Sequence, residues 1–358
     1  MGLPRSTYVK DGHEGVYHCF CRCVRRAFLC GFDPVSQRDF SHRKTLLLDR
    51  LRFLASVFAI DVCAYAILAN HYHLILRTRP DIVASWSDLE VATRWLTLFP
   101  HYYHNKDNLE LPTNQQISAL AGNPQRIAEL RKRLSSLSWF MGRLNEFIAR
   151  AANKEDGVKG RFWESRFKCT ALIDTAAIAA CMTYVDLNLI RAGQADSPEE
   201  SDFTSIQERI RAWKHDSLTQ NSLPIEVIRK TMETIRIPDP VSAGYPSDSP
   251  ADWLCLIQSD ALRRGILHIS TAEYLDLVDK SGRLLKSGKR GAIDADLAPI
   301  LLRIGLKPDA WLDTITRFES RFRLAAGLLS SLRSFADQIG RRWLTGLTAA
   351  RAAFVTSA

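Results

Sequence analysis

The sequence predicts an α+β fold built on an antiparallel sheet, and three observations carry that expectation. Residues 62–68 and 72–77 are apolar, β-prone segments joined by a short break at Ala69-Asn70, which reads as a strand–turn–strand hairpin. Two further β-prone segments, 15–24 and 166–173, lie on either side of it in the chain. Between them, apolar residues recur at helical rather than alternating spacing.

In chain order, 15–24 is the first strand, followed by a turn-rich stretch around Gly31 and Pro34. Ser41 is placed to cap a helix over 42–59, whose Leu47, Leu51, Leu54 and Phe58 form one apolar face. The hairpin comes next. A second helical pattern covers 81–99, residues 100–125 read as polar and irregular, and a long amphipathic helix is expected over 126–152 with a basic side. The strand at 166–173 leads into a helix capped by Asp174 or Thr175, which runs to about Arg191 and stops at Gly193. The order strand, helix, strand, strand, helix, strand, helix is that of a ferredoxin-like unit. The expected division is a domain at 1–215 with an insertion at about 80–125, a Ser/Pro/Asp-rich linker at 216–252, and a mostly helical accessory domain at 253–358. Helical patterns in that last third fall near 253–264, 271–279, 294–304, 309–327 and 329–350.

A hydrophobic content of 46% with 24% charged residues describes a core-forming chain of 358 residues, not a disordered one. There is no long uncharged apolar run and no leader pattern, so no membrane partner and a cytoplasmic location at the nucleoid are expected. The net charge of +9 favours a polyanion such as nucleic acid. Of the eight cysteines, Cys19, Cys21 and Cys23 cluster on one strand face, too close for tetrahedral zinc, and read as packing residues.

The chemistry centres on Asn70-His71-Tyr72-His73. Alternation puts His71 and His73 on one face of a strand and Tyr72 on the other, among core residues. Two imidazoles so placed either grip one metal ion or are half-buried strand residues. On the last helix of the domain, Tyr184 and Asn188 are four residues apart and share a face. Arg161, Trp163, Arg166 and Lys168 mix cations with an aromatic ring, suiting phosphate contact and base stacking. The aromatic run His101-Tyr102-Tyr103-His104 reads as a surface or base-stacking element. Lys280, Arg283, Lys286, Lys289 and Arg290, threaded with glycines, read as a basic loop that tracks a phosphate backbone or is simply solvated.

Taken in order, Asn70-His71-Tyr72-His73, the run Gly160–Lys168 and the run Tyr184–Gly193 resemble the HUH-type single-tyrosine transposases of small insertion sequences, most of all the REP-associated tyrosine transposases. The likeness covers roughly 10–215, and the Tyr17-His18…Arg22 strand fits it. It implies an HUH nuclease fold, Mg²⁺ or Mn²⁺ as cofactor, and hairpin-bearing single-stranded DNA as substrate, such as REP-like elements or insertion-sequence ends. It further implies His71, His73 and Asn188 as metal ligands and Tyr184 as the nucleophile that forms a 5′-phosphotyrosine during DNA transposition. Ala69 and Leu189 stand where the family often has proline, which alters turn rigidity and the helix end. A monomer or homodimer is expected. The alternative is a domesticated, non-catalytic protein that binds DNA hairpins; a structural metal protein using the cysteines is a third reading.

Overall fold

A computed structural model of the chain describes residues 3–24, 30–33, 37–99, 111–220, 251–287 and 297–355. Its centre is a five-stranded sheet in the order β4-β5-β1-β6-β7. The strands are β1 (Gly15–Arg22), β4 (Ile60–Ile67), β5 (His71–Thr78), β6 (Lys168–Leu172) and β7 (Ala325–Ala326), while β2 (Phe32–Asp33) and β3 (Arg38–Asp39) form a separate two-stranded ribbon. The first four sheet strands pair antiparallel in the ferredoxin-like order. The sheet as a whole is mixed, however, because β7 comes from the last third of the chain and pairs parallel to β6. The chain is thus α+β as expected, with one strand more than expected.

Each sheet face carries its own helices. Alternation along β1 and β5 sends Cys19, Cys21 and Tyr72 to one side. There Tyr72 donates its hydroxyl to Asn145 on α6 (Leu137–Glu155) at 2.5 Å, and α1 (His42–Val57) packs alongside α6. All eight cysteines are buried free thiols, in keeping with a packing role. The other side is covered by α7 (Thr175–Asp186), which lies over β4, β5 and β6. Every residue of α7 from Ala176 to Asp186 is buried. A helix apolar all round must be covered on both sides, and the C-terminal third supplies the second cover through α10 (Thr271–Ser287) and α12 (Trp311–Arg321).

Several helix boundaries depart from the sequence reading for local reasons. The 81–99 pattern is two helices, α2 (Pro80–Ser85) and α3 (Asp88–Leu98), because Trp86 is extended and Ser87 caps α3 by accepting from the Glu90 amide. The stretch taken as irregular holds α4 (Asn114–Ala121), started by a capping box between Thr113 and Gln116. The long helix expected at 126–152 is α5 (Pro124–Leu134) and α6, broken where Ser135 turns its hydroxyl back onto the Arg131 carbonyl. Leu187 separates α7 from α8 (Asn188–Arg191). Residues 253–264 form turns and a bridge instead of a helix. The remaining helices are α9 (Ser205–Gln220), α11 (Leu297–Arg303), α13 (Leu329–Gln338) and α14 (Leu347–Ala353). Among the described residues, no helix is long and apolar enough to cross a membrane.

Candidate active site and nucleic-acid groove

The register of the sheet builds the site. Phe20 stands opposite His73, Arg22 opposite His71, and His18 opposite Ile75. His18, Phe20 and Arg22 therefore share a sheet face with the two histidines of β5. His18 Nε2 and His73 Nδ1 are 2.9 Å apart, and His71 Nδ1 lies 2.5 Å from Asn70 Oδ1. The rings of His71 and His73 are nearly perpendicular, with centroids 5.0 Å apart.

Burial keeps these imidazoles neutral. It lowers His18 to about 3, and together with the Arg22 charge it lowers His71 to about 4. His73 is held well below the usual histidine range, first by burial and then by the charges of its neighbours.

Helix α7 brings Tyr184 down onto this face. Its ring meets those of His73 and His18 edge-on, at centroid distances of 5.7 and 5.8 Å. The tyrosine and the histidine pair thus meet within one chain. The Tyr184 hydroxyl donates to Glu319 Oε2 on α12 at 3.0 Å. Burial, then the Glu319 charge, raise its pKa well above 10, with Arg191 acting in the opposite sense. Arg191 lies over the Tyr184 ring at 4.5 Å and is tied to α12 through the Thr316 carbonyl, while its buried Nε has no hydrogen-bond partner. Asn188 is buried at the first position of α8. Its amide makes no hydrogen bond to His71 or His73 among the described residues, while His71, His73 and Tyr184 are joined by ring contacts.

No protein-family model and no curated protein matches this sequence. One solved structure is similar: a REP-associated tyrosine transposase bound to a REP hairpin. The two share 14% identity at a TM-score of 0.35, over 59% of this chain and 86% of that one. A likeness that slight leaves the functional argument to the site's own geometry.

That geometry continues into a groove. A cavity of about 90 Å³, lined by Phe20, Arg22, His71, Lys168 and Glu319, adjoins a larger one of about 1290 Å³ through Phe20, Lys168 and Glu319. The larger one adds Arg5, Arg166, Arg323, Arg341 and Trp343, and shares Arg5 and Arg166 with a third cavity of about 750 Å³ lined by Arg161 and Trp163. Arg161, Arg166, Lys168, Arg323 and Arg341 are exposed, and none forms an ion pair among the described residues.

Trp163 is mostly buried instead of open for stacking: it donates to the Asn145 carbonyl and packs against Tyr72 and Phe162. The exposed aromatic residue of the groove is Trp343. The expected basic loop is different in kind, because Lys280, Arg283 and Lys286 lie on α10 and pair with Asp276, Asp279 and Asp196. Lys289, Arg290 and the run His101-Tyr102-Tyr103-His104 lie outside the described residues.

Sequence reasoning passed over His18, Glu319, Arg323, Arg341 and Trp343 as site residues. Of these, only His18 carried a legible signal, through its alternation with Phe20 and Arg22.

Proposed function

We propose that this chain nicks and rejoins single-stranded DNA near hairpins, with Tyr184 as nucleophile, in a transposase-type strand transfer. The observation that carries the reading is the contact of the Tyr184 ring with His73 and His18, beside His71 and Glu319, which line cavities that also hold unpaired cations. A cationic groove tracks a phosphodiester backbone without regard to sequence. Arg161, Arg166 and Lys168 would hold the strand on one side, and Arg323 and Arg341 on the other.

In the proposed step the Tyr184 oxygen attacks phosphorus and the 3′-oxygen leaves, giving a 5′-phosphotyrosine and a free 3′-hydroxyl. The covalent link keeps the phosphodiester energy, so rejoining needs no nucleotide. Arg191, whose Nε lacks an acceptor beside the Tyr184 ring, would meet the charge that gathers on the non-bridging oxygens.

The donor set suits a divalent cation at two of its positions. His71 and His73 are neutral, and each engages its Nδ1 elsewhere, which leaves both Nε2 atoms for a ligand in the manner of metal-bound histidines. No group of three His, Cys, Asp or Glu side chains poised for a metal occurs among the described residues, so the other positions would fall to Asn188, to phosphate and to water. When bound, Mg²⁺ or Mn²⁺ polarises a phosphate oxygen toward attack; imidazole ligands favour Mn²⁺ of the two.

Incubation with hairpin-bearing single strands and Mn²⁺ tests the proposal. It should yield a covalent protein–DNA adduct, resistant to denaturing electrophoresis, that is lost in Tyr184→Phe. Retarded mobility without an adduct would instead show a hairpin-binding protein that does no chemistry.

A further inference from the structure

The acceptor of the Tyr184 proton comes from a part of the chain more than a hundred residues away. Glu319 sits on α12 directly after Phe318, whose ring packs against that of Tyr184 at 5.9 Å. The acids of α12 have different fates. Asp313 is neutralised by Arg317 and Arg321, as is ordinary for a carboxylate on an exposed helix face. Glu319 forms no ion pair among the described residues, and its Oε2 accepts the Tyr184 hydroxyl at 3.0 Å. It also lines both the narrow cavity beside His71 and Lys168 and the wide cationic groove, which places it where a strand would pass. The histidines are engaged differently: His73 Nδ1 and His18 Nε2 meet each other, and the Tyr184 hydroxyl donates to Glu319 instead of to either ring.

We infer that Glu319 is a catalytic residue, the general base that accepts the Tyr184 proton as the phenolic oxygen attacks the phosphodiester. The inference rests on Tyr184 being the nucleophile. The balance of the step is simple. The Tyr184 oxygen–phosphorus bond forms, the bond from phosphorus to the 3′-oxygen breaks, the phenolic proton passes to Glu319 Oε2, and the departing 3′-oxygen takes a proton from water. In rejoining, the 3′-hydroxyl gives its proton to water as its oxygen bonds phosphorus, the phosphorus–Tyr184 oxygen bond breaks, and Glu319 returns its proton to the leaving phenolic oxygen. In the resting contact the hydroxyl already donates to Glu319 Oε2, so the transfer runs along a hydrogen bond that is in place before attack. A carboxylate within 2.6–3.2 Å is the geometry that general-base transfer requires.

The test measures the rate of adduct formation from pH 5 to 10 with hairpin-bearing single strands and Mn²⁺, comparing the native chain with Glu319→Gln and Glu319→Ala. Base catalysis contributes roughly 10²–10⁴-fold, so Glu319→Gln should slow by that factor at neutral pH and regain about tenfold per pH unit as hydroxide rises. The native rate should vary less steeply with pH than that of Glu319→Gln. Added formate should accelerate Glu319→Ala and leave Tyr184→Phe inert, which guards against a Gln variant that merely misfolds. Glu319→Gln within about threefold of the native rate, with an unchanged pH profile, would overturn the inference while Tyr184 stands as nucleophile. A faster Glu319→Gln would also overturn it, marking the carboxylate as a restraining latch. A native chain that never forms an adduct would remove the nucleophile itself and this inference with it.

Discussion

At the scale of single residues, burial sets the character of the site. Three imidazoles withdrawn from water stay neutral across the physiological range, with His18 at about 3 and His71 at about 4. A neutral ring attracts a cation that a protonated one would repel. For His73 to offer Nε2, its Nδ1 must carry the proton and donate to His18 Nε2, which makes His18 the group that fixes the tautomer. Replacing His18 with Ala should weaken Mn²⁺ binding by about 10–100-fold, as loss of such an orienting partner does. Titration calorimetry with Mn²⁺ reads this directly, and undiminished affinity would reduce His18 to a packing residue. The placement of His71, His73 and Tyr72 follows from strand alternation alone and was legible. Glu319 was not, because an acid on an amphipathic helix reads as a solvated charge until the helix is docked.

At the scale of elements, α7 is the piece on which both halves of the chain converge. Its sequence has no polar face, which by itself signals a helix enclosed on both sides. Asp174 anchors its start by accepting from the Ala177 amide, and its second oxygen accepts from the Leu328 amide just ahead of α13. The close approach leaves room only for glycine at 327, where an added Cβ would stand 2.7 Å from Asp174 Oδ2. Asp174→Ala removes a helix cap and a second partly buried acceptor together, so a loss of about 2–3 kcal/mol is expected. Urea unfolding would report it as a lower midpoint at constant slope; an unchanged midpoint would show that neither bond matters. The cap at Asp174 was legible, as were the local signals at Ser87, which the periodicity overrode, and at Thr113, inside a stretch read as irregular. The breaks at Ser135 and Leu187 were not, because side-chain spacing continues smoothly across both.

At the scale of the whole molecule, the last third closes the site. It adds β7 to the sheet, covers α7 with α10 and α12, and brings Glu319, Arg323, Arg341 and Trp343 to one wall of the groove. The distribution of charge separates this wall from the rest of the basic surface. The α10 cations are paired with nearby acids, while the groove cations are left for a partner. Lys168→Ala and Arg341→Ala should each weaken single-strand binding for all sequences alike, and each should lower the slope of log K against log salt by about one. Lys286→Ala, whose charge is met by Asp196, should leave that slope nearly unchanged. Equal effects at all three positions would mean that the strand does not follow the groove.

The sequence by itself determined the strands, the pairing of the hairpin, the face shared by His71 and His73, and the tyrosine-bearing helix that follows the fourth strand. Those features depend on alternation, periodicity and capping, which act over a few residues and are written in their order. Only the tertiary structure decided that a fifth, parallel strand joins the sheet, that His18 meets His73, and that Glu319 receives the Tyr184 hydroxyl. Such contacts join segments far apart in the chain, and their partners are chosen by which buried surfaces fit together, a property that no local pattern records.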